Sequence, residues 1–206
     1  MTRALERRGR LRLSAALAAR DSDALEETMR ALIGAEDQTA VEETLLQSYL
    51  FLGYPAALNA LALWRELSGR PAPRGTETED DGRFWTERGA EVLKRVYGKQ
   101  DEGVRATARA LHPDLERWMV AEGYGKVLGR GGLDLVEREL CVVALLAVLD
   151  APRQLYSHLR GARNVGASES EIEDALTEAR PFASDQAWAR AQDVWRRVRS
   201  RTAAAS

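Results

Sequence analysis

Residues 133–176, LDLVERELCVVALLAVLDAPRQLYSHLRGARNVGASESEIEDAL, decide the fold of this chain. Apolar side chains recur every three or four positions in two successive runs, and this spacing predicts two amphipathic helices. The turn Asp150-Ala151-Pro152 between the runs implies that the two helices are antiparallel. Ser168, followed three residues later by Glu171, is typical of a capping box that begins a third helix. The stretch therefore predicts a helical hairpin followed by a further helix.

The rest of the chain has the same helical character. Alanine, leucine, arginine and glutamate are abundant, isoleucine occurs at only two positions, and we find no stretch with the pattern of a strand. The sequence therefore predicts an all-α fold. The predicted helices span 4–20, 22–34, 39–52, 55–68, 83–97, 101–111, 113–128, 134–149, 153–165, 169–179 and 185–200.

A change of composition divides the chain. Residues 68–82 read SGRPAPRGTETEDDG, and their prolines, glycines and acidic run are typical of a linker. We therefore predict an N-terminal helical half at 1–67, a linker at 68–82, a C-terminal helical domain at 83–200 and a flexible tail at 201–206.

The two sides of this linker resemble each other. Val41–Leu45, VEETL, aligns with Ile172–Leu176, IEDAL, and tryptophan-arginine pairs align at the same offset further on. We infer a partial internal duplication, in which residues 10–67 repeat the helical layout of 139–198. The N-terminal half is thus predicted to be a half-repeat that stacks on the rest of the chain.

Charge and residue counts exclude several classes of protein. The 30 basic and 32 acidic side chains nearly cancel, which disfavours binding to nucleic acid or to an anionic membrane. No run is apolar and long enough for a membrane span. One cysteine and two histidines exclude an intramolecular disulfide and a histidine-rich metal site. The first twelve residues carry five arginines and no apolar run of the signal-peptide type, so we expect a cytoplasmic protein.

Two polar residues lie on the apolar faces of the predicted hairpin. Glu139 is one turn from apolar neighbours on the first helix, and His158 lies between Leu155 and Ala162 on the second. With a rise of about 1.5 Å per residue, the antiparallel helices place Glu139 and His158 at comparable heights, so we expect them to hydrogen-bond. Two interpretations stay open. Glu139 fixes the imidazole for proton transfer, or the two residues form a buried structural pair.

Other polar candidates are predicted to be structural. In the N-terminal half-repeat, the positions equivalent to this Glu/His pair fall near Arg10 and near residues 27–29, so a second pair is absent from the sequence. His112 precedes Pro113 at a predicted helix start and is expected to be an exposed loop or cap residue.

The string His158-Leu-Arg-Gly-Ala-Arg-Asn-Val-Gly166, together with Arg138-Glu139 before it and the capped helix after it, resembles the carboxymuconolactone decarboxylase family. This family includes the AhpD-like alkylhydroperoxidases. The resemblance covers about residues 84–178. A further fragment, 43–61, resembles the final helical hairpin of the family but lies at the N-terminal end of this chain. The resemblance implies an AhpD-like helical fold, with this hairpin packed on the C-terminal core or on a neighbouring subunit.

The peroxidase branch of the family implies two thiols that this chain lacks. Counting from Glu139, the two cysteine positions of that branch fall on Ala151 and Gln154, while the histidine position falls on His158. Cys141 lies on a different helical face from Glu139, and we expect it to be a small buried apolar residue. A thiol peroxidase is therefore the least favoured activity.

The decarboxylase branch matches the chain better. It implies loss of carbon dioxide from a lactone acid without a metal or organic cofactor, with His158 as proton donor and Glu139 as its partner. Arg160 and Arg163 could bind the carboxylate of a small-molecule substrate, although a solvated or inter-subunit role is also open. The resemblance further implies a homo-oligomer. A non-catalytic scaffold or ligand-binding homologue is the alternative function.

Overall fold

In the computed structural model, the described residues are 3–34, 37–75 and 82–203, and they form helices joined by short turns without any strand. The predicted all-α fold is confirmed. The helices are α1 (Arg3–Ala19), α2 (Ser22–Leu32), α3 (Gln38–Gln47), α4 (Tyr49–Leu52), α5 (Tyr54–Ser68), α6 (Gly82–Tyr97), α7 (Asp101–Leu111), α8 (Pro113–Trp118), the π-helix Met119–Leu128, α9 (Leu135–Val148), α10 (Pro152–Asn164), α11 (Glu169–Ala179) and α12 (Asp185–Ala203), with 3₁₀ turns at Gly98–Gln100 and Arg180–Phe182.

Two of the predicted helices are not continuous α-helices in the structure. The helix predicted at 39–52 is two helices in the structure, because the helix is interrupted at Ser48. The Oγ of Ser48 donates a hydrogen bond to the carbonyl of Leu45 at 2.7 Å. The helix predicted at 113–128 changes at Met119 from α-helical to the wider π-helical winding. Residues 69–75 of the predicted linker are exposed and lie outside the helices, and residues 76–81 lie outside the described residues.

The last helix extends into the segment that was predicted to be a tail. α12 continues to Ala203, so the first three residues of the predicted tail at 201–206 are helical. Residues 204–206 lie outside the described residues. His112 is the N-cap of α8, because its Nδ1 accepts a hydrogen bond from the backbone N–H of Asp114 at 3.1 Å, and the expected cap role is confirmed.

The N-terminal half packs against the C-terminal half of the same chain. α1 lies along α9 and also contacts α11. On α3, Glu43 accepts hydrogen bonds from Arg138 Nη2 at 2.8 Å and from Arg130 Nη2 at 3.0 Å. The Tyr49 hydroxyl on α4 donates to Glu122 Oε1 at 2.6 Å. The N-terminal hairpin thus lies on the C-terminal core of its own chain.

α9 is the central helix of this arrangement. Every residue from Glu137 to Ala147 is buried, although the sequence pattern of α9 predicted a single apolar stripe. A helix that is buried all round needs neighbours on every side, and here α10, α11 and α12 pack on it together with α1. The N-terminal half therefore covers the side of α9 that would otherwise meet solvent.

In the C-terminal half, α6 and the π-helix also cross each other closely. A Cβ atom at Gly89 would lie 1.9 Å from the carbonyl oxygen of Val120, and one at Gly125 would lie 1.9 Å from that of Trp85. Only glycine permits backbones to approach this closely. The crossing holds Tyr124 of the π-helix against Tyr97 at the end of α6.

Candidate functional site

Glu139 and His158 form the hydrogen bond that the sequence predicts. His158 Nδ1 lies 2.9 Å from Glu139 Oε2, and the two side chains are 9% and 0% exposed. Because Glu139 occupies Nδ1, the nitrogen left for another partner is Nε2. The second carboxylate oxygen, Oε1, is buried and has no hydrogen-bond partner among the described residues.

Two residues of the His158–Gly166 string explain why this pair can form. A Cβ atom at Gly161 would lie 2.8 Å from Glu139 Oε2 and 2.7 Å from Val96 Cγ1, so a larger side chain would push into the carboxylate. Asn164 Nδ2 donates to the carbonyl of Val96 at 2.8 Å. The absence of a side chain at Gly161 lets α9 approach α10 closely. The hydrogen bond from Asn164 joins α10 to α6.

His158 lies in the wall of a large cavity of about 1010 Å³. The cavity is bounded by helices from both halves of the chain, because α4 contributes Phe51, whose ring lies edge-on to the imidazole with 5.8 Å between centroids. Apolar side chains dominate the lining. The lining residues are Leu50, Phe51, Tyr97, Lys99, Gln100, Gly103, Val104, Thr107, Ala108, Leu111, Leu115, Trp118, Met119, Glu122, Gly123, Tyr124, Leu128, Arg153, Gln154, Ser157 and His158.

Two tyrosines supply neutral hydroxyl groups to this cavity. The hydroxyls of Tyr97 and Tyr124 lie 2.7 Å apart, so one donates to the other. Burial raises the pKa of Tyr97 to about 12 and raises the pKa of Tyr124 well above its usual value. The negative charge of Glu139 acts in the same direction on both pKa values. At neutral pH both groups are therefore phenols that can donate a hydrogen bond.

The structure places the two predicted arginines away from the cavity lining. Arg160 stacks over the ring of Tyr156 at 5.8 Å, and Arg163 lies 3.4 Å from Glu169. Their proposed role in binding a substrate carboxylate stays a prediction. The cations that do line the cavity are Lys99 and Arg153.

Sequence reasoning missed the residues that reach the cavity from other parts of the chain. Tyr97, Tyr124 and Phe51 lie on three separate elements, and it is the close crossing of α6 with the π-helix and the packing of α4 that bring them to the cavity that His158 lines. The available signal is the pair of glycines at 89 and 125, which lie on two different predicted helices and leave room for such a crossing.

Cys141 has the environment of a structural thiol. It is buried, and burial raises its pKa to about 11, so it is protonated at neutral pH. No group of three or more His, Cys, Asp or Glu side chains that could hold a metal is present in the part of the chain that the structure describes. Within the same residues, no helix combines the length and the apolar character that crossing a membrane requires.

Comparisons with known proteins cover the part of the chain that carries Glu139 and His158. Residues 113–197 match the model of the carboxymuconolactone decarboxylase family, and the matched segment contains both Glu139 and His158. The chain is also 28% identical over 145 residues to a protein of Schizosaccharomyces pombe (strain 972 / ATCC 24843) named Peroxisomal protein 2. That alignment spans 69% of this chain and 68% of the relative. The family resemblance predicted from the sequence is confirmed.

Proposed function

We propose that this chain, which matches the carboxymuconolactone decarboxylase family over residues 113–197, is a cofactor-independent lyase that acts on a small carboxylated lactone or a related acid. The observation that carries the proposal is the hydrogen bond between Glu139 and His158 at the wall of a cavity. A buried carboxylate that engages one imidazole nitrogen leaves the other nitrogen to exchange a proton with a ligand.

The proposed step is a decarboxylation with proton delivery to carbon. The bond between the carboxylate and its neighbouring carbon breaks, carbon dioxide leaves, and the electron pair stays on the substrate as an enolate. Nε2 of the protonated His158 then gives its proton to carbon, and the imidazole regains a proton from water. Glu139 stabilises the imidazolium, while a hydroxyl of Tyr97 or Tyr124 donates to the enolate oxygen.

The charges that line the cavity suit an anionic substrate. Lys99 and Arg153 form no ion pair with any residue that the structure describes, so their charges are free for a substrate carboxylate. Glu122, the acidic residue of the lining, already accepts the hydroxyl of Tyr49. A thiol peroxidase is not supported, because the buried, protonated Cys141 lacks the properties of a nucleophile.

The proposal is tested by assaying carbon dioxide release from a panel of carboxylated lactones. We expect turnover by the native protein, and His158→Gln should lower kcat by about 10²–10⁴-fold, the contribution of a positioned acid or base. His112→Gln is the matched control, because His112 is exposed and caps α8, and its turnover should be unchanged. Full turnover by His158→Gln would contradict the proposal. Binding without turnover in the native protein would favour the ligand-binding alternative.

Two further parts of the proposal concern assembly and location. We propose a homo-oligomer, as the family resemblance implies, and light scattering that gives the mass of one chain would contradict it. We also propose a cytoplasmic location on the sequence pattern alone. The similar protein in Schizosaccharomyces pombe carries the word peroxisomal in its name. Imaging of the tagged protein in its own cells decides between the cytoplasm and an organelle.

A further inference from the structure

The outer wall of the cavity is an amphipathic helix that takes no part in the core. α7 has no buried residue, yet Val104, Ala108 and Leu111 lie at helical spacing on one face of it, and all three line the cavity. Leu115 and Trp118 continue this apolar surface along α8. We call these five residues the apolar wall.

Charged residues, rather than the apolar wall, hold α7 on α8. Arg105 Nε donates to Glu116 Oε1 at 2.7 Å, and Arg109 Nη2 donates to the same oxygen at 3.3 Å. The apolar wall is therefore not needed to fix α7 in place. Leu111 and Trp118 in that wall are 75% and 58% exposed, which is unusual for side chains that could have packed against the core.

The size of the cavity also exceeds what a small lactone acid fills. Pockets for small ligands usually measure about 300–1,000 Å³, so a cavity of about 1010 Å³ lies at the upper end of this range. The lining combines polar groups, among them His158 and the two tyrosines, with the five residues of the apolar wall. A ligand that matches both parts has a charged end and an extended hydrocarbon end.

We propose that the substrate is an amphipathic carboxylate whose alkyl chain lies along the apolar wall. Its carboxylate end is recognised by Arg153 and Lys99, the two cations of the lining that are free of ion pairs with described residues. Arg153 and His158 both lie on α10 and both line the cavity, so the charged end is bound in the same cavity as the imidazole. This inference rests on the proposed function for the site but needs no turnover to be tested.

The test is calorimetric titration of the native protein with straight-chain carboxylates from butanoate to decanoate. Each methylene that the apolar wall buries should tighten binding about fourfold, until the chain exceeds the wall. The matching alcohols should bind more weakly than the acids, and Arg153→Met should reduce that difference, because Lys99 then remains as the one cation that recognises the carboxylate. Because binding does not require proton transfer, His158→Gln should bind the same acids, which separates this inference from failure of the lyase proposal.

Variants in the apolar wall decide whether it is the binding surface. The double variant Leu111→Ser/Leu115→Ser should abolish the dependence of Kd on chain length, and folding is preserved because both side chains are exposed. Leu58→Ser is the matched control, since Leu58 is 53% exposed on α5 and lies outside the cavity lining. Chain-length dependence that survives in the double variant overturns the proposal. So does a native affinity that is independent of chain length. If the double variant instead lowers the mass of an assembly, a second copy of the chain covers the wall.

Discussion

Two helical hairpins of this chain share a layout and differ in what their buried polar groups do. α1 and α2 turn at Arg20, with a φ of 57°, and α9 and α10 turn at Asp150, with a φ of 56°. In the hairpin of α9 and α10, the polar pair Glu139 and His158 forms within the hairpin itself and borders the cavity. The hairpin of α1 and α2 has no such pair among its described residues.

Polar side chains of the first hairpin bind elsewhere. Arg10 is buried and donates to Glu137 on α9, across the interface between the halves. Thr28 on α2 donates to the carbonyl of Ala24 in its own helix at 2.7 Å. The difference teaches that one helical layout serves two purposes. In the first hairpin, buried Arg10 joins the two halves of the chain, whereas Glu139 and His158 bond to each other within the second hairpin at the wall of the cavity.

The largest expected effect comes from breaking the ion cluster between the halves. Arg138 is fully buried, and its guanidinium also donates to the carbonyls of Gly131 and Leu133 at 2.9 and 3.2 Å. Arg138→Met removes these bonds and deprives the carboxylate of Glu43 of its buried partner. We expect a loss of about 3–5 kcal/mol in the free energy of unfolding, measured with urea.

A surface ion pair provides the control for this measurement. Arg199→Met removes an exposed contact with Glu173 and should cost less than about 1 kcal/mol. Equal losses of unfolding free energy in Arg138→Met and Arg199→Met would show that the buried ion cluster between the halves is no stronger than a surface ion pair. That result would contradict the role assigned to buried charge at this interface.

The next effect concerns the close approach of α9 and α10. Gly161→Ala places a Cβ atom within 2.8 Å of Glu139 Oε2, so the helices must separate. We expect a loss of about 1–3 kcal/mol in unfolding free energy, as for other overpacked cores, together with loss of turnover. Gly103→Ala is the control, because a Cβ atom there has open space, and it should stabilise α7 by up to about 1 kcal/mol. A Gly161→Ala protein with native stability would contradict the close packing of Gly161 against Glu139.

The smallest expected effect concerns the ion pair that holds α7 on α8 at the outer wall of the cavity. A hydrogen bond from Arg105 holds the pKa of Glu116 below its usual value. Its charge therefore stabilises the fold at neutral pH, and this stabilisation is lost as the pH falls through the lowered pKa. Glu116→Gln should cost about 0.5–1 kcal/mol at neutral pH, and the difference from the native protein should vanish in acid. A difference that persists in acid would contradict the assigned charge.

The elements of this fold were predictable because helix signals are local. Short segments contain the Asp150-Ala151-Pro152 turn, the Ser168 capping box and the apolar spacing of α9 and α10. The same local signals predicted that Glu139 and His158 form a hydrogen bond. The complete burial of α9 was not predictable from its own pattern, because it depends on α1 packing from far away in the chain.

The rest of the site escaped prediction for the same physical reason. Tyr97, Tyr124 and Phe51 reach the cavity from three separate elements, so no sequence window contains them together. Trp118 is a further residue that its own sequence window does not identify, and its side chain is more than half exposed and lines the cavity. An amphipathic helix looks the same in sequence whether its apolar face meets a core or a ligand cavity.

The tautomer of His158 tests the central claim most directly. The chain has two histidines, and their Nδ1 atoms have different partners. His158 Nδ1 lies 2.9 Å from Glu139 Oε2, and an ionised carboxylate can only accept, so we expect Nδ1–H to be the donor. His112 Nδ1 accepts from the backbone N–H of Asp114 at 3.1 Å. Long-range ¹H–¹⁵N spectra of the neutral rings should therefore show His158 protonated at Nδ1 and His112 protonated at Nε2. Glu139→Gln should change the ¹⁵N shifts of His158 alone. A native neutral His158 protonated at Nε2 would contradict the account, because Nδ1 would then carry no proton to donate to Glu139.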